Sequence, residues 1–184
     1  YLGELFSAST AEKHSLLLVK VRKQRELTEV YGMDWTDQLV VQVADQLRTA
    51  LAEGDVVARI ARDQFVVWSE SAGEEDVARQ ANAVAKALKF PLGVAGIDVK
   101  VDLQMSAALA PEHGASLDDL LRRAVIAMSS AIGAMSQLRL YQEGEDLRLH
   151  RKLRVTQRLQ LAILEGAFEL HYQPKLSLGS RRVE

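Results

Sequence analysis

Cysteine is absent from all 184 residues. That excludes disulfides and thiolate metal sites, and it fits a reducing compartment, so a cytoplasmic location is expected. Histidine is scarce. His14, His113, His150 and His171 are scattered and share no ligand spacing, so nothing in them marks a zinc site. No run is long and apolar enough to span a bilayer, and the N-terminus lacks the layout of a signal peptide. An excess of one charge is missing too. The formal net charge is -2, so no global field points to nucleic acid or an anionic membrane. What is present, 48% apolar and 26% charged residues, is the balance of a globular protein. The length allows one ordinary domain and an appendage. A start at Tyr1 rather than Met reads as a piece of something longer.

The order of elements follows from apolar spacing. Leu16-Leu17-Leu18-Val19 suits a strand buried on both faces. A helical stretch runs to Tyr31, with Gly32 as its stop, and Asp34 is placed to cap a helix carrying Leu39, Val43, Leu47 and Leu51. Val56 to Ile60 and Phe65 to Ser69 form a hairpin whose tip is Ala61-Arg62-Asp63-Gln64. Glu74 to Lys89 is amphipathic through Val77, Ala81, Val84 and Leu88. Val99, Val101, Leu103 and Met105 alternate with polar residues as one half-buried strand, paired with Pro91 to Val94. Ser116 and Asp119 resemble a capping box opening a helix to about Ala131, and Leu138 to Tyr141 returns as a last strand. This order predicts an α+β fold, a mainly antiparallel central sheet flanked by helices.

After Gly144 the character changes. Leu147 to Glu165 reads as a helix with Val155, Leu159, Ala162 and Ile163 on a stripe and six basic residues elsewhere, stopped by Gly166. A basic helix can bind nucleic acid or acidic lipid, but a solvated connector is the simpler reading. Phe168 to Leu178 reads as a strand interrupted by Pro174. An isolated strand exposes unpaired backbone groups, so a neighbour is expected to cover Phe168, Leu170 and Leu176.

Two stretches carry a family likeness. "LLLVKVRKQRELTEVYGMDWTD" from Leu16 resembles the first signature of GGDEF domains, a strand ending in Asp-x-Asp before a helix with Asn and then an aromatic-Gly-His. "GDVVARIARDQF" from Gly54 resembles the second, an arginine two residues before the Gly-Gly-Asp/Glu-Glu-Phe turn. "AILEGAFELHYQPKLSLGSRRVE" is similar to the start of EAL domains, whose first strand carries Tyr-Gln-Pro. The resemblance therefore implies a GGDEF-type nucleotidyl-cyclase-like domain over 1–142, a connecting helix over 143–166, and the start of an EAL domain, its isolated first strand, over 167–184.

Active GGDEF domains join two GTP molecules into cyclic di-GMP, with carboxylates at the strand end and hairpin tip holding Mg²⁺. Measured against that pattern, the strand-end acids are replaced by Lys20 and Arg22, and the tip glycines by Ala61 and Arg62. Of the tip acids Asp63 survives, while the second is Gln64. The positions that contact guanine hold Thr28 and Asp37, and Asp37 is also an ordinary first-turn acid. The histidine after Tyr31-Gly32 is Met33. The phosphate-holding lysine and arginine fall at Ile132 and Ser136, and the arginine of the product-inhibition motif falls at Ala52, ahead of Asp55. Two unit charges about 4 Å apart interact by roughly 4 kcal/mol at an effective dielectric near 20, so cations in place of acids oppose Mg²⁺ strongly. Lys20, or failing that Arg22, is expected to pair with Asp63 where the metal would sit; the alternative is an Asp63 that points into water.

The resemblance thus implies a chain with no cofactor and no cyclase activity. It would be the regulatory and interaction domain of a bacterial cyclic di-GMP signalling protein, partnered by its attached EAL domain and able to form a homodimer. Nucleic acid and membrane are not expected as partners of this segment. A GTP-sensing domain without turnover is the first alternative, and a cyclase with a shifted metal site the second. In the EAL part only Gln173 falls on a ligand-contacting position, so the parent chain is either a phosphodiesterase or a receptor that binds without cleaving.

Overall fold

The computed structural model describes residues 3–4, 11–70, 73–130, 138–174 and 179. Its elements are β1 (His14–Val21), α1 (Gln24–Tyr31), α2 (Met33–Ala50), β2 (Val56–Ala61), β3 (Gln64–Glu70) and α3 (Glu74–Ala87). They are followed by β4 (Leu92–Val94), β5 (Ile97–Val99), β6 (Leu103–Ala110), α4 (Leu117–Ser130), β7 (Leu138–Leu140) and α5 (Glu145–Leu164). The chain divides into two compact units, 1–146 and 147–184.

In the first unit β1 is the middle strand of a sheet ordered β2-β3-β1-β6-β7. The pairs β1/β3, β1/β6 and β2/β3 are antiparallel, and β6/β7 is parallel. The predicted α+β fold with a mainly antiparallel sheet is present. Side chains alternate across a strand, so a continuous apolar run in β1 feeds two cores. Leu17, Val19 and Val21 pack with Leu39, Val43, Phe65, Val77 and Val84. Leu16 and Leu18 pack with Val66, Ala108, Leu120, Ala124 and Met128 on the other face. Fully burying one such side chain contributes about 1.5–3 kcal/mol. β1 is therefore held from both sides, and its C-terminal end is a fixed point of the fold.

Several expectations need correction. Asp34 does not cap α2. Gly32 occupies the N-cap with φ +86°, ending α1 and starting α2, and Asp34 lies in the first turn, where its charge still favours the helix dipole. The alternating run from Val99 is not one strand. It breaks at 100–102, so β5 pairs with β4 in a separate two-stranded sheet while β6 joins the main one. That small sheet is tied to α2, where Trp35 Nε1 donates to the Val94 carbonyl (3.0 Å) and Gln42 Nε2 to that of Gly93 (2.9 Å). The hairpin also closes more tightly than expected, with Ala61 and Gln64 ending its strands and Arg62-Asp63 as the tip. Ser116 does cap α4, its Oγ accepting from the Asp119 amide at 3.1 Å and donating to Asp119 Oδ2 at 2.8 Å, the first of these being half of the reciprocal pair of a capping box.

The second unit holds the body of α5. Gly166 stops the helix at φ +63°, with its amide bonded to Ile163 and that of Ala167 to Ala162, the paired closure expected of a left-handed C-terminal glycine. Residues 167–174 form no strand. Phe168 and Leu170 are exposed, and Leu176 lies outside the described residues. The physical reason is that a strand needs a ladder partner for its N–H and C=O groups, and Pro174 supplies no donor. The apolar stripe of α5, including Val155, Leu159 and Ile163, is exposed as well. No helix among the described residues is long and apolar enough to cross a membrane.

Candidate functional site

The end of β1 is flanked by two loops because β1 pairs on both sides. On one side the β1/β3 register sets Lys20 opposite Gln64, which brings the β2-β3 tip alongside. The Val21 amide donates to the Asp63 carbonyl at 2.8 Å, and Lys20 Nζ lies 3.4 Å from Asp63 Oδ2. Both side chains are about one-third exposed, so the pair lies at the protein surface. On the other side Val21 faces Leu103 across β6, which places the loop before β6 next to Arg22. Arg22 donates its amide to the Asp102 carbonyl at 2.8 Å, and its guanidinium pairs with Asp102 Oδ2 at 3.4 Å. Each cation at the strand end therefore has its own carboxylate.

The hairpin tip is organised by Arg59. Its Nε donates to the Ala61 carbonyl (3.1 Å) and its Nη2 to the Arg62 carbonyl (2.7 Å). Neither Ala61 nor Arg62 has a positive φ, so the chain turns here without the freedom that glycine supplies. Ala61 and Arg62 are exposed, and Gln64 is half-buried. Lys20, Arg22, Ala61, Arg62, Asp63 and Gln64 are thus assembled in one place.

Thr28 and Asp37 belong to the helical hairpin beside it. Thr28 Oγ1 donates to the Gln24 carbonyl at 2.9 Å, and Thr36 Oγ1 lies 3.2 Å from Thr28 Oγ1. The hydroxyl at the base-contact position is already engaged between α1 and α2, while Asp37 is exposed on α2. Ile132 and Ser136 lie outside the described residues. Gln173 is exposed and in no regular element.

Asp55 is fully used within the domain. Its Oδ2 accepts from the Ala52 amide (3.0 Å), and its Oδ1 from Ser69 Oγ (2.5 Å) and Gln80 Nε2 (3.1 Å). It forms one wall of a cleft of about 440 Å³ that Glu70, Asp76 and Arg79 also line. Asp76 is itself paired with Arg79 and bonded to the Gly73 amide. The carboxylate of this corner therefore caps a turn and braces β3 against α3.

Mg²⁺ asks for an octahedron of oxygens at about 2.0–2.1 Å. At the strand end and tip the protein offers the Asp63 and Asp102 carboxylates, each with a cation already beside it. Among the described residues no group of three His, Asp or Glu side chains is gathered to hold a metal ion. The donor set does not fit the pair of metal ions that cyclic di-GMP synthesis requires in active relatives of the resembled family. Asp102 was not foreseen from the sequence. The signal that finds it is positional: once β6 is paired with β1, the residue just before β6 must flank the residue just after β1.

The family description "Diguanylate cyclase, GGDEF domain" matches residues 2–137. Among curated proteins, the chain is 27% identical over 161 residues to the cyclic di-GMP phosphodiesterase NbdA of Pseudomonas aeruginosa, an alignment covering 86% of this chain and 20% of that protein. It is 26% identical over 154 residues to the cyclic di-GMP phosphodiesterase PdeR of Escherichia coli, covering 83% of this chain and 23% of that one. The chain thus spans about a fifth of the length of these relatives. Among solved structures, the GGDEF domain of P. aeruginosa TpbB (YfiN) superposes with a TM-score of 0.67 at 29% identity, covering 71% of this chain and 83% of that one.

Proposed function

The chain belongs to the GGDEF domain family, and from that premise we propose that it is a non-catalytic regulatory and interaction domain. Its place is in a bacterial cyclic di-GMP signalling protein, where it acts on an attached EAL domain and assists dimerisation. The observation that carries this reading is the Lys20–Asp63 pair at 3.4 Å, an ammonium where the family's chemistry needs a divalent cation. Arg22, bound to Asp102, removes the second acid position in the same way. Without paired carboxylates the strand end has no ligand set to hold the Mg²⁺ ions that would neutralise a triphosphate as a ribose hydroxyl attacks the α-phosphorus. The engaged Thr28 hydroxyl takes away a base contact as well.

Two long curated relatives carry phosphodiesterase names, and this supports an EAL domain following the present segment in the parent chain. The rival reading is a GTP sensor that binds without turnover. Titrating GTP and Mg²⁺ into the intact parent protein, while following both heat and cyclic di-GMP hydrolysis, separates the two. The proposed function expects no binding in the low micromolar range and no change in hydrolysis. Saturable binding with a changed hydrolysis rate would establish the sensor instead.

A further inference from the structure

β6 ends at Ala110, and the chain turns through Pro111 to Gly114 before Ser116 caps α4. Two reciprocal hydrogen bonds close this turn. The His113 amide donates to the Leu109 carbonyl at 2.6 Å, and the Leu109 amide donates back to His113 Nδ1 at 3.0 Å. The second bond requires an unprotonated Nδ1, which places the ring proton of the neutral form on Nε2.

The ring also seats the exit of the sheet. His113 stands edge-on to Tyr141, with centroids 5.3 Å apart and planes at 73°. The Arg123 guanidinium lies over the same tyrosine ring, 5.5 Å from its centre. Tyr141 is buried, its amide donates to Ala107 at 2.9 Å, and its hydroxyl is 3.3 Å from Asp146 Oδ1. Tyr141 follows directly on β7, and Asp146 ends the first compact unit. One imidazole thus ties the turn after β6 to the last residues of the domain.

We propose that His113 is a proton-operated latch: neutral, it closes the Leu109–His113 turn and seats Tyr141, and protonated, it opens the turn and loosens the exit of the chain from the domain. A proton on Nδ1 would face the Leu109 N–H and leave that amide without its acceptor. It would also add a cation near Arg123, whose buried Nε already has no acceptor among the described residues. The charges that bear on the ring come from every side: Glu112 in the turn, Arg123 on α4, Glu74 on α3 and Glu143 after β7. Burial is the largest influence and favours the neutral ring, and Arg123 acts with it. The three glutamates oppose them, and the net effect holds His113 below the ordinary 6.5. The latch is therefore closed above 6.5 and opens as pH falls through the lower folded value.

The test is NMR on the chain, with ¹⁵N-imidazole shifts for the tautomer and amide exchange at Leu109 corrected for its intrinsic pH dependence. The expected result is an Nε2–H tautomer at pH 8. As pH falls from 6.5 toward the lower folded value, Leu109 should lose protection by up to about tenfold per pH unit, as one linked proton requires, and the loss should level off below it. His113→Asn, which offers an untitratable acceptor, should flatten that dependence. An Nδ1–H tautomer at pH 8 would overturn the proposal, as would Leu109 protection that is indifferent to the His113 titration. Should the Asn variant fail to fold, the tautomer and the wild-type exchange profile decide the matter without it.

Discussion

Lys20 and Asp63, 43 positions apart in the chain, meet at 3.4 Å where β1 passes the tip of the β2-β3 hairpin. The pairing follows from the antiparallel register, which sets Lys20 opposite Gln64 and leaves Asp63 one step into the turn. It is a contact of position more than of strength. With both side chains about one-third exposed, solvent screens the attraction, and such pairs are worth about 0–1 kcal/mol.

A double-mutant cycle on Lys20→Ala and Asp63→Ala should therefore return a small coupling, on the order of 0–1 kcal/mol in denaturant unfolding, shrinking as salt is added. A coupling above about 2 kcal/mol would mean that the pair supports the fold, contrary to the exposure seen here.

The cores should respond differently. Leu17→Ala removes a fully buried side chain from the middle strand and should cost about 2–5 kcal/mol in chemical denaturation. Val30→Ala, at an exposed position on α1, should stay within about 0.5 kcal/mol.

Acid sensitivity should come in part from the start of α4. Asp119 accepts from the Ser116 hydroxyl and from Arg122, and these two contacts, the hydroxyl first, hold its carboxyl below the ordinary 3.8. A depressed carboxylate contributes stability above its unfolded value and loses it as pH falls through the folded one. Asp119→Asn should thus flatten the stability profile below about pH 4 and leave its shape near neutrality unchanged, as read by thermal unfolding across pH.

Much of this architecture is legible in the sequence, and what is not has common causes. The apolar run Leu16 to Val19 suits a doubly buried strand, and it is the middle one. Ser116 and Asp119 announce a helix start through a local interaction that needs no tertiary context. Lys20 and Asp63 could be brought together in advance because the family likeness assigns both to one site. Asp102 could not, since its neighbour Arg22 is a neighbour only through the pairing of β1 with β6. Periodicity also failed at Val99 to Met105, where the alternation runs unbroken across a change of sheet. Alternation reports which side chains are buried and carries no information about which strand lies alongside. The strand expected after Phe168 failed for the complementary reason, because a strand is defined by its partner.

One assay bears directly on the proposed loss of cyclic di-GMP synthesis. The protein is incubated with GTP and Mg²⁺, then with Mn²⁺, at concentrations high enough to allow dimerisation, and the products are separated by chromatography. No cyclic di-GMP and no linear dinucleotide intermediate should form above the level of a protein-free control. Turnover that rises with protein concentration, and that is lost in Asp63→Ala, would show that Asp63 still holds a working metal ion and would contradict the account.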